Sequence, residues 1–361
     1  MNLSRSMVES SPLIRFLRDR GVADTFSGEE WSLVLAEARH AGMLARVAHW
    51  TSCSSIAGSV PPRHQGSLVA ALVQSAAFRR DVQRELRSIS SALVHVETPI
   101  LLLKGASYVA LGLPVADGRS FSDIDLLVAD KQIRFVESEL MLGGWITGQL
   151  DAYDDRYYRQ WSHEIPPMTH THRGTTIDLH HSLVMPTCRI AVDSSRMVNE
   201  AVPIAGSGRF WRLRDEDILL HAAAHLLLNG EFDRGLRDLC DIDLLFRHFS
   251  SVSAEFPKRL ITRSAEVGLD AILRQALYLA RRFFSTPVDD RLLKQEPTAF
   301  VKLVEKAVYS RHPDTRIRGQ AMADWLLMVR ELSLRLPPNL LLIHLLHKMW
   351  VGFQPVKRVQ E

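Results

Sequence analysis

The chain contains 361 residues, of which 46% are hydrophobic and 24% are charged, and this balance excludes a largely disordered polymer. Its 44 basic and 41 acidic residues leave a formal charge of +3, so the total charge indicates neither a long nucleic acid nor an anionic membrane as partner. Three widely spaced cysteines, Cys53, Cys188 and Cys240, exclude a disulfide scaffold and a cysteine-rich zinc site, and they favour a reducing, cytoplasmic location.

The first part of the chain carries helical signals. Ser27 and Glu30 form the pattern of a capping box, and apolar residues follow at roughly helical spacing through Trp50. After a loop with two adjacent prolines, residues 65–94 show a long helical periodicity. We therefore predict a helical N-terminal region over residues 1–95.

The sequence pattern changes at Pro99. A short apolar run over residues 100–103 ends at Lys104 and Gly105 and precedes a helix-like segment, which predicts a strand that leads into a helix. A second apolar run covers residues 124–128, a helix-like segment follows, and residues 173–180 alternate as a strand does behind a glycine turn. Residues 96–185 are therefore predicted to form a small α/β unit with a mixed sheet.

Helical periodicity returns from residue 215 onward, in the segments 217–228, 236–249, 265–284, 299–308 and 317–334. We predict a helical C-terminal domain over residues 186–361. The fold class is then α+β, with a small mixed-sheet core flanked by large helical N- and C-terminal regions. The apolar stretch 340–351 is too short and too polar to cross a bilayer, so we expect no membrane span.

Carboxylates two residues apart recur in three places, at Asp123/Asp125, Asp215/Asp217 and Asp241/Asp243. On a strand such residues point to the same face, whereas on a helix they diverge by about 200°. Only Asp123 and Asp125 begin a strand-like run, and a strand that merely starts with acidic residues is the alternative. Asp178 lies in a later strand-like run. Three convergent carboxylates would hold ions that orient a triphosphate, and Asp178 is the candidate that activates an attacking hydroxyl.

Four short motifs follow one another: Lys-Gly-Ala-Ser at 104–107, Arg119, Ser-Asp-Ile-Asp-Leu-Leu-Val at 122–128 and Ile-Asp-Leu-His at 177–180. This order resembles the polymerase-β-like nucleotidyltransferase superfamily, and more narrowly its bacterial branch of uncharacterised nucleotidyltransferases, over about residues 100–182. In that superfamily a Gly-Ser turn at a helix N-terminus holds the nucleotide phosphates. Here the hydroxyl comes one residue late, at Ser107, although backbone N–H groups at a helix start still suit phosphates.

The resemblance implies a Mg²⁺-dependent enzyme, with Mn²⁺ as the alternative ion and an NTP as substrate. It implies Asp123, Asp125 and Asp178 as the catalytic and metal-holding residues. The implied nucleotide contacts in these motifs are Lys104, Gly105, Ser107, Arg119 and Ser122. Lys104 could instead pair with a structural carboxylate, and Arg119 could be a solvated loop arginine.

Histidines are concentrated between residues 163 and 181. Their spacing lacks an H-E-x-x-H pattern and a cysteine partner, and a carboxylate triad suits hard ions, so a zinc site is disfavoured. We expect His163 and His180 to line the site and the others to make structural hydrogen bonds. Farther along, His221 and His225 share one helix face, and His225 joins the expected nucleotide contacts.

The segment Arg-Asp-Leu-Cys-Asp at 237–241 resembles a helix of nucleotidyltransferase-type toxins whose basic groups approach the triphosphate from a second domain. The resemblance implies a nucleotide contact by Arg237. An intrahelical ion-pair network is the alternative explanation of the same spacing.

We expect an enzyme that moves a nucleotidyl group from an NTP to a hydroxyl or phosphate of a small-molecule, peptide or protein acceptor. The near-neutral charge disfavours a long nucleic acid. The alternatives are phosphoryl or sugar transfer onto a peptide in a biosynthetic pathway, a toxin-type nucleotidyltransferase, and a catalytically inactive binding protein.

Overall fold

A computed structural model of the protein describes residues 11–53, 55–121, 123–230, 232–293, 297–309 and 312–343. Its N-terminal part is helical, with α1 (Pro12–Arg18), α2 (Gly28–His40), α3 (Leu44–Ser52) and α4 (Pro62–Ala92). The predicted capping box begins α2: Ser27 Oγ accepts from the Glu30 backbone, and the Glu30 carboxylate accepts from the Ser27 backbone. The helical signal through Trp50 is divided between α2 and α3 at Gly42, whose φ of 66° suits a helix end.

A single seven-stranded mixed sheet follows in the described part of the chain. Its strands are β1 (Ile100–Leu102), β2 (Asp123–Leu127), β3 (Trp145–Thr147), β4 (Met168–His170), β5 (Thr176–His180), β6 (Val202–Pro203) and β7 (Phe210–Arg212). They lie in the order β3-β4-β5-β2-β1-β7-β6, and only β2–β5 and β1–β7 are parallel among these pairs. The intervening helices are α5 (Lys104–Ala110), α6 (Ile133–Leu142), α7 (Ala152–Gln160) and α8 (Ser194–Asn199).

The C-terminal part is again helical. It contains α9 (Asp215–Leu228), α10 (Gly235–Val252), α11 (Phe256–Glu266), α12 (Asp270–Phe284), α13 (Ala299–Ala307) and α14 (Gln320–Arg335), and residues 338–343 are also helical. Short 3₁₀ helices occupy Arg20–Thr25, Ser55–Ser59, Pro114–Ala116, Asp130–Gln132 and Asp290–Leu292. Within the described ranges, no helix combines the length and apolarity that crossing a bilayer requires.

This arrangement confirms the predicted α+β class, and two details differ from the sequence analysis. The predicted helix over 265–284 is two helices, because the chain turns at Gly268 with a φ of 77° between α11 and α12. The sheet also extends past residue 185 through β6 and β7, whose two and three residues are too short to show strand alternation. The boundaries at 95/96 and 185/186 stay predictions.

The middle of the sheet positions the acidic residues. Ile124 and Leu126 of β2 are buried in the hydrophobic core, and strand alternation turns Asp123 and Asp125 to the other face. The parallel neighbour β5 pairs Asp178 with Asp125.

Candidate active site

Three aspartates lie on one face of the two central strands. Asp123 and Asp125 are two residues apart on β2, and Asp178 pairs in register with Asp125, so the three side chains point the same way. All three border a cavity of about 740 Å³. The strand context therefore gives the carboxylates the common orientation that the sequence predicts.

The cavity gathers most of the residues predicted for the site. Nine of the twelve border it, namely Lys104, Gly105, Arg119, Asp123, Asp125, His163, Asp178, His225 and Arg237. His180 contacts Asp125 without being part of the cavity wall. Ser122 lies outside the described residues. Ser107 is 1% exposed and does not border the cavity, because the rotation of α5 turns this side chain inward; the structure does not support the predicted contact between its hydroxyl and the nucleotide.

Asp125 is a buried carboxylate with two donors against one oxygen. Lys104 Nζ donates to its Oδ1 at 2.8 Å, and His180 Nε2 lies 3.1 Å from the same atom. Burial alone would raise the pKa of Asp125, but Lys104 and His180 hold that pKa well below its usual range. Asp125 is therefore ionised at neutral pH. Lys104 pairs with this carboxylate, which is the alternative that the sequence offered, and it also borders the cavity; its contact with the nucleotide stays a prediction.

Asp178 has different surroundings, although it is the direct partner of Asp125 across the strands. Its Oδ1 is buried and finds no hydrogen-bond partner within the described residues. Burial, followed by the charges of Asp125 and Glu164, raises the pKa of Asp178 to about 8. A buried carboxylate oxygen without a partner marks a position that an ion or a ligand would satisfy.

The aspartate donors fit a hard divalent cation. Carboxylate oxygens are the ligands that Mg²⁺ and Mn²⁺ prefer, and the unpartnered Asp178 oxygen lies beside Asp123 and Asp125. A cation between like charges would also remove the repulsion that contributes to the raised pKa of Asp178. Metal binding by these residues stays a prediction.

A second donor group adjoins the aspartates. His163, Glu164 and His180 each offer one ligand atom, and these atoms lie within 4.8 Å of one another. Among the described residues, the oxygens of the three aspartates are not gathered this closely. Glu164 Oε2 is 3.4 Å from His180 Nε2 and 3.6 Å from His163 Nε2. Metal-bound histidines usually donate their second ring N–H to a protein acceptor, but both Nδ1 atoms are buried and unpartnered within the described chain. The geometry favours hydrogen bonding by His180 over a zinc site.

The imidazoles near the cavity are held neutral by burial. Burial, with added repulsion from His180 and Lys104, keeps the pKa of His163 well below its usual range. His225 of α9 borders the cavity, and burial lowers its pKa in the same way. Its neighbour His221 does not border the cavity, and its pKa is lowered to about 3. Neutral rings at His163 and His225 suit hydrogen bonding to a ligand rather than charge pairing.

The turn before α5 has an unusual backbone. Lys104 adopts a φ of 41°, a region that residues with a side chain rarely occupy. At the next position, a Cβ on Gly105 would lie 1.9 Å from the ring of Phe121. Glycine is therefore required here by packing against Phe121, independently of any approach by phosphate.

Arginines at the start of α10 and in the loop before β2 line one wall of the cavity, called the arginine wall, which also contains Asp233, Asp238 and Asp241. Arg119 is 9% exposed, and its Nε donates to Asp241 Oδ2 at 2.5 Å, so it is not a solvated loop arginine. Arg237 lies 2.7 Å from Asp238, which is the ion pair that the sequence offered as an alternative, and it still borders the cavity. Arg234 is exposed on the same wall, and its guanidinium has no partner among the described residues.

Several cavity residues escaped the sequence analysis. They are Glu164, Arg234, Tyr157, Tyr158 and Arg335. Glu164 directly follows the predicted His163, and Arg234 lies three residues before the predicted Arg237. Closeness in sequence to these two residues is the signal that could have identified them. Tyr157 and Tyr158 lie on α7, a short helix that the sequence analysis did not predict, and Arg335 ends the distant α14.

A family model described as an uncharacterised nucleotidyltransferase matches residues 27–285, well over half of the chain. The chain belongs to this nucleotidyltransferase family. The family match begins at Ser27, the N-cap of α2, and ends at Ser285, directly after α12. Membership confirms the predicted nucleotidyltransferase relationship, while the polymerase-β-like superfamily stays a prediction compatible with it. No curated protein matches the chain.

Proposed function

We propose that this nucleotidyltransferase binds an NTP with Mg²⁺ and transfers the nucleotidyl group to a hydroxyl or phosphate of a small-molecule, peptide or protein acceptor. One observation carries the proposal: a single cavity joins the aspartates of β2 and β5 to a wall containing Arg119, Arg234 and Arg237. A metal-bound triphosphate needs both kinds of group, because carboxylates suit the metal and guanidinium groups suit phosphate oxygens.

Asp123, Asp125 and Asp178 would hold the divalent cation, with Mn²⁺ as the alternative to Mg²⁺. The bound ion would neutralise charge on the transferring phosphorus and orient the triphosphate. Lys104 and His180 support this role of Asp125, because their contacts keep the carboxylate ionised and fix its orientation.

In the transfer, the bond breaks between the α-phosphorus and the oxygen that bridges to the β-phosphate, and pyrophosphate leaves with that electron pair. The acceptor oxygen forms the new bond to the α-phosphorus, and its proton passes to Asp178. The buried Oδ1 of Asp178 supports this assignment, because it borders the cavity and has no hydrogen-bond partner among the described residues, so it can accept a proton from a bound acceptor.

Among the described residues, four arginines and one lysine border the cavity and are available to the phosphates of the NTP, and one of these arginines, Arg335, is paired with Glu331. The exposed Arg234 is free to swing toward a ligand, whereas Arg119 and Arg237 are held by Asp241 and Asp238. A fixed guanidinium loses little entropy when it binds phosphate. We infer that Arg119 and Arg237 form the rigid part of the phosphate site and Arg234 the adaptable part.

The experiment incubates the protein with each NTP and Mg²⁺, alone and with candidate acceptors, and measures the mass added to the acceptor or to the protein itself. The proposal expects an added nucleoside monophosphate and an equal amount of pyrophosphate. Addition of one phosphoryl group, or of a sugar from a nucleotide sugar, would assign one of the alternative chemistries instead.

A matched pair of variants controls this experiment. Asp123→Asn removes a cavity carboxylate, whereas Asp130→Asn removes a carboxylate that is 83% exposed just beyond the same strand. We expect the first variant to lose transfer by at least about 100-fold and the second to retain it. Equal activity of the two variants would contradict a metal site at Asp123.

A further inference from the structure

A buried charge cluster behind the arginine wall contains one residue, Arg46, that does not border the cavity. Asp241 is 2% exposed and accepts from two arginines, Arg119 Nε at 2.5 Å and Arg46 Nη1 at 2.8 Å. Arg46 lies on α3 and is 1% exposed. It does not border the cavity, whereas Arg119 and Asp241 do. Arg46, from the N-terminal helical region, thus contacts the arginine wall from the side that faces away from the cavity.

Arg46 holds the loop that carries Arg119 as well as the helix that carries Asp241. Its Nη2 donates to the backbone oxygen of Val115 at 2.7 Å. Gly118 packs against the same helix so closely that a Cβ would lie 2.4 Å from the Cα of Arg46. The Arg46 guanidinium therefore joins the loop before Arg119 to α10, in addition to the direct bond between Arg119 and Asp241.

The charges in this cluster decide how cationic Arg119 is toward the cavity. Two guanidinium groups share the Asp241 carboxylate. Asp238, which is paired with Arg237, also lies 3.7 Å from Arg119. These three arginines and two aspartates carry one net positive charge, and without Arg46 the group would be neutral. Buried charges are poorly screened by solvent, so the loss of Arg46 would be felt at the cavity.

We propose that Arg46 is a positioning residue for the phosphate site: it offsets the charge of Asp241, so that Arg119 stays both fixed and net cationic toward the NTP. This inference rests on the proposed function. Arg46 itself touches no ligand in this account.

The experiment compares the dissociation constant for Mg·ATP, Mg·GTP, Mg·CTP and Mg·UTP, using whichever the wild type binds most tightly. Arg46→Met removes the charge, and we expect the dissociation constant to rise about tenfold. Arg46→Lys restores the charge without the guanidinium fork, and we expect it to recover most of the affinity. Should Arg46→Met not fold, Arg46→Gln removes the same charge and carries the same expectation.

Arg263 supplies the matched control. It is a 4% exposed arginine that binds the buried Asp217 through two hydrogen bonds of 2.8 Å, away from the cavity. Arg263→Met should lower the melting temperature as Arg46→Met does while leaving the dissociation constant within twofold. The inference is overturned if Arg46→Met binds as the wild type does, if Arg46→Lys binds no better than Arg46→Met, or if Arg263→Met weakens binding equally. Absence of binding by the wild type would instead refute the proposed function on which the inference depends.

Discussion

Asp125 and Asp178 are partners across two parallel strands, yet their surroundings drive their protonation in opposite directions. Lys104 and His180 hold the pKa of Asp125 low against the effect of burial, while burial and neighbouring charge raise the pKa of Asp178 to about 8. Two carboxylates with separated pKa values suit two different roles in one reaction. The division supports Asp125 as a permanent anion and Asp178 as the residue that takes up a proton.

The raised pKa of Asp178 predicts a stability that depends on pH in the absence of divalent cations. The unfolded chain releases this proton near 3.8 and the folded protein near 8, so the folded state binds more protons between these values. The stability contributed by protonated Asp178 is therefore fully present below pH 3.8 and is lost as the pH rises through about 8. Asp178→Asn should melt about 2–4 °C higher than the wild type at pH 9, with a smaller difference at pH 6.

Thermal unfolding in a chelator at both pH values measures this effect, and Asp130→Asn, at an 83% exposed carboxylate, serves as the control. A wild type and Asp178→Asn with the same difference in melting temperature at pH 6 and pH 9 would show that Asp178 titrates normally.

Lys104 combines backbone strain with a charge, and two substitutions separate them. Lys104→Met and Lys104→Gly both remove the ammonium from Asp125, so both should weaken Mg·NTP binding. Only glycine tolerates the φ of 41° without strain, so Lys104→Gly should be more stable than Lys104→Met by about 1 kcal/mol. Urea titration measures the difference. Greater stability of Lys104→Met would mean that the backbone strain is absent.

Single residues differ in how far the sequence predicts them. Asp123, Asp125 and Asp178 are predictable because strand alternation decides which face a side chain takes, and alternation is a local property. The inward orientation of Ser107 depends on how α5 rotates against the core, which no local pattern reports. Arg46 depends on a contact between residues 195 positions apart.

Among the elements, the start of α5 joins packing to the site. The ring of Phe121 occupies the place of a Cβ on Gly105 and lies 4.9 Å from the guanidinium of Arg119. Gly105→Ala must displace this ring, so we expect a loss of about 1–3 kcal/mol in the free energy of unfolding, together with weaker nucleotide binding as Arg119 moves. Chemical denaturation and NTP titration measure the two effects.

Gly66 provides the comparison for Gly105→Ala. It lies in α4 with open space around its Cβ position, so Gly66→Ala should raise the stability by about 0.5–1 kcal/mol through helix propensity. Gly105→Ala with wild-type stability would show that the close packing of Phe121 is not maintained in solution.

Element prediction succeeds where the pattern is long and fails where it is short. The letters Asp-Ile-Asp-Leu-Leu form strand β2 at residues 123–127 and part of helix α10 at residues 241–245. The surrounding apolar periodicity, rather than the five letters, distinguishes them. Strands β3, β4, β6 and β7 have only two or three residues each, so alternation cannot reveal them.

In the molecule as a whole, part-buried polar contacts join the helical N-terminal region to the turn between β4 and β5. Glu85 of α4 accepts from Arg173 at 2.8 and 3.0 Å and from Thr175 at 2.6 Å. Its side chain is 3% exposed. Glu85→Gln leaves these donors incompletely paired, so we expect a loss of about 1–3 kcal/mol in the free energy of unfolding.

Asp81→Asn removes an exposed ion pair with Arg84 on the same helix and should cost less than about 1 kcal/mol. Equal effects of the two variants in urea titrations would argue against the Glu85 tie.

Equilibrium binding measures whether the aspartates bind a metal-complexed NTP. Each NTP is titrated into the wild type and into Asp123→Ala, with Mg²⁺ and with a chelator in its place. We expect at least one NTP to bind the wild type only when Mg²⁺ is present, and Asp123→Ala to lose this binding. Absence of Mg²⁺-dependent binding, with the wild type and Asp123→Ala indistinguishable, would show that these aspartates hold no metal-complexed NTP.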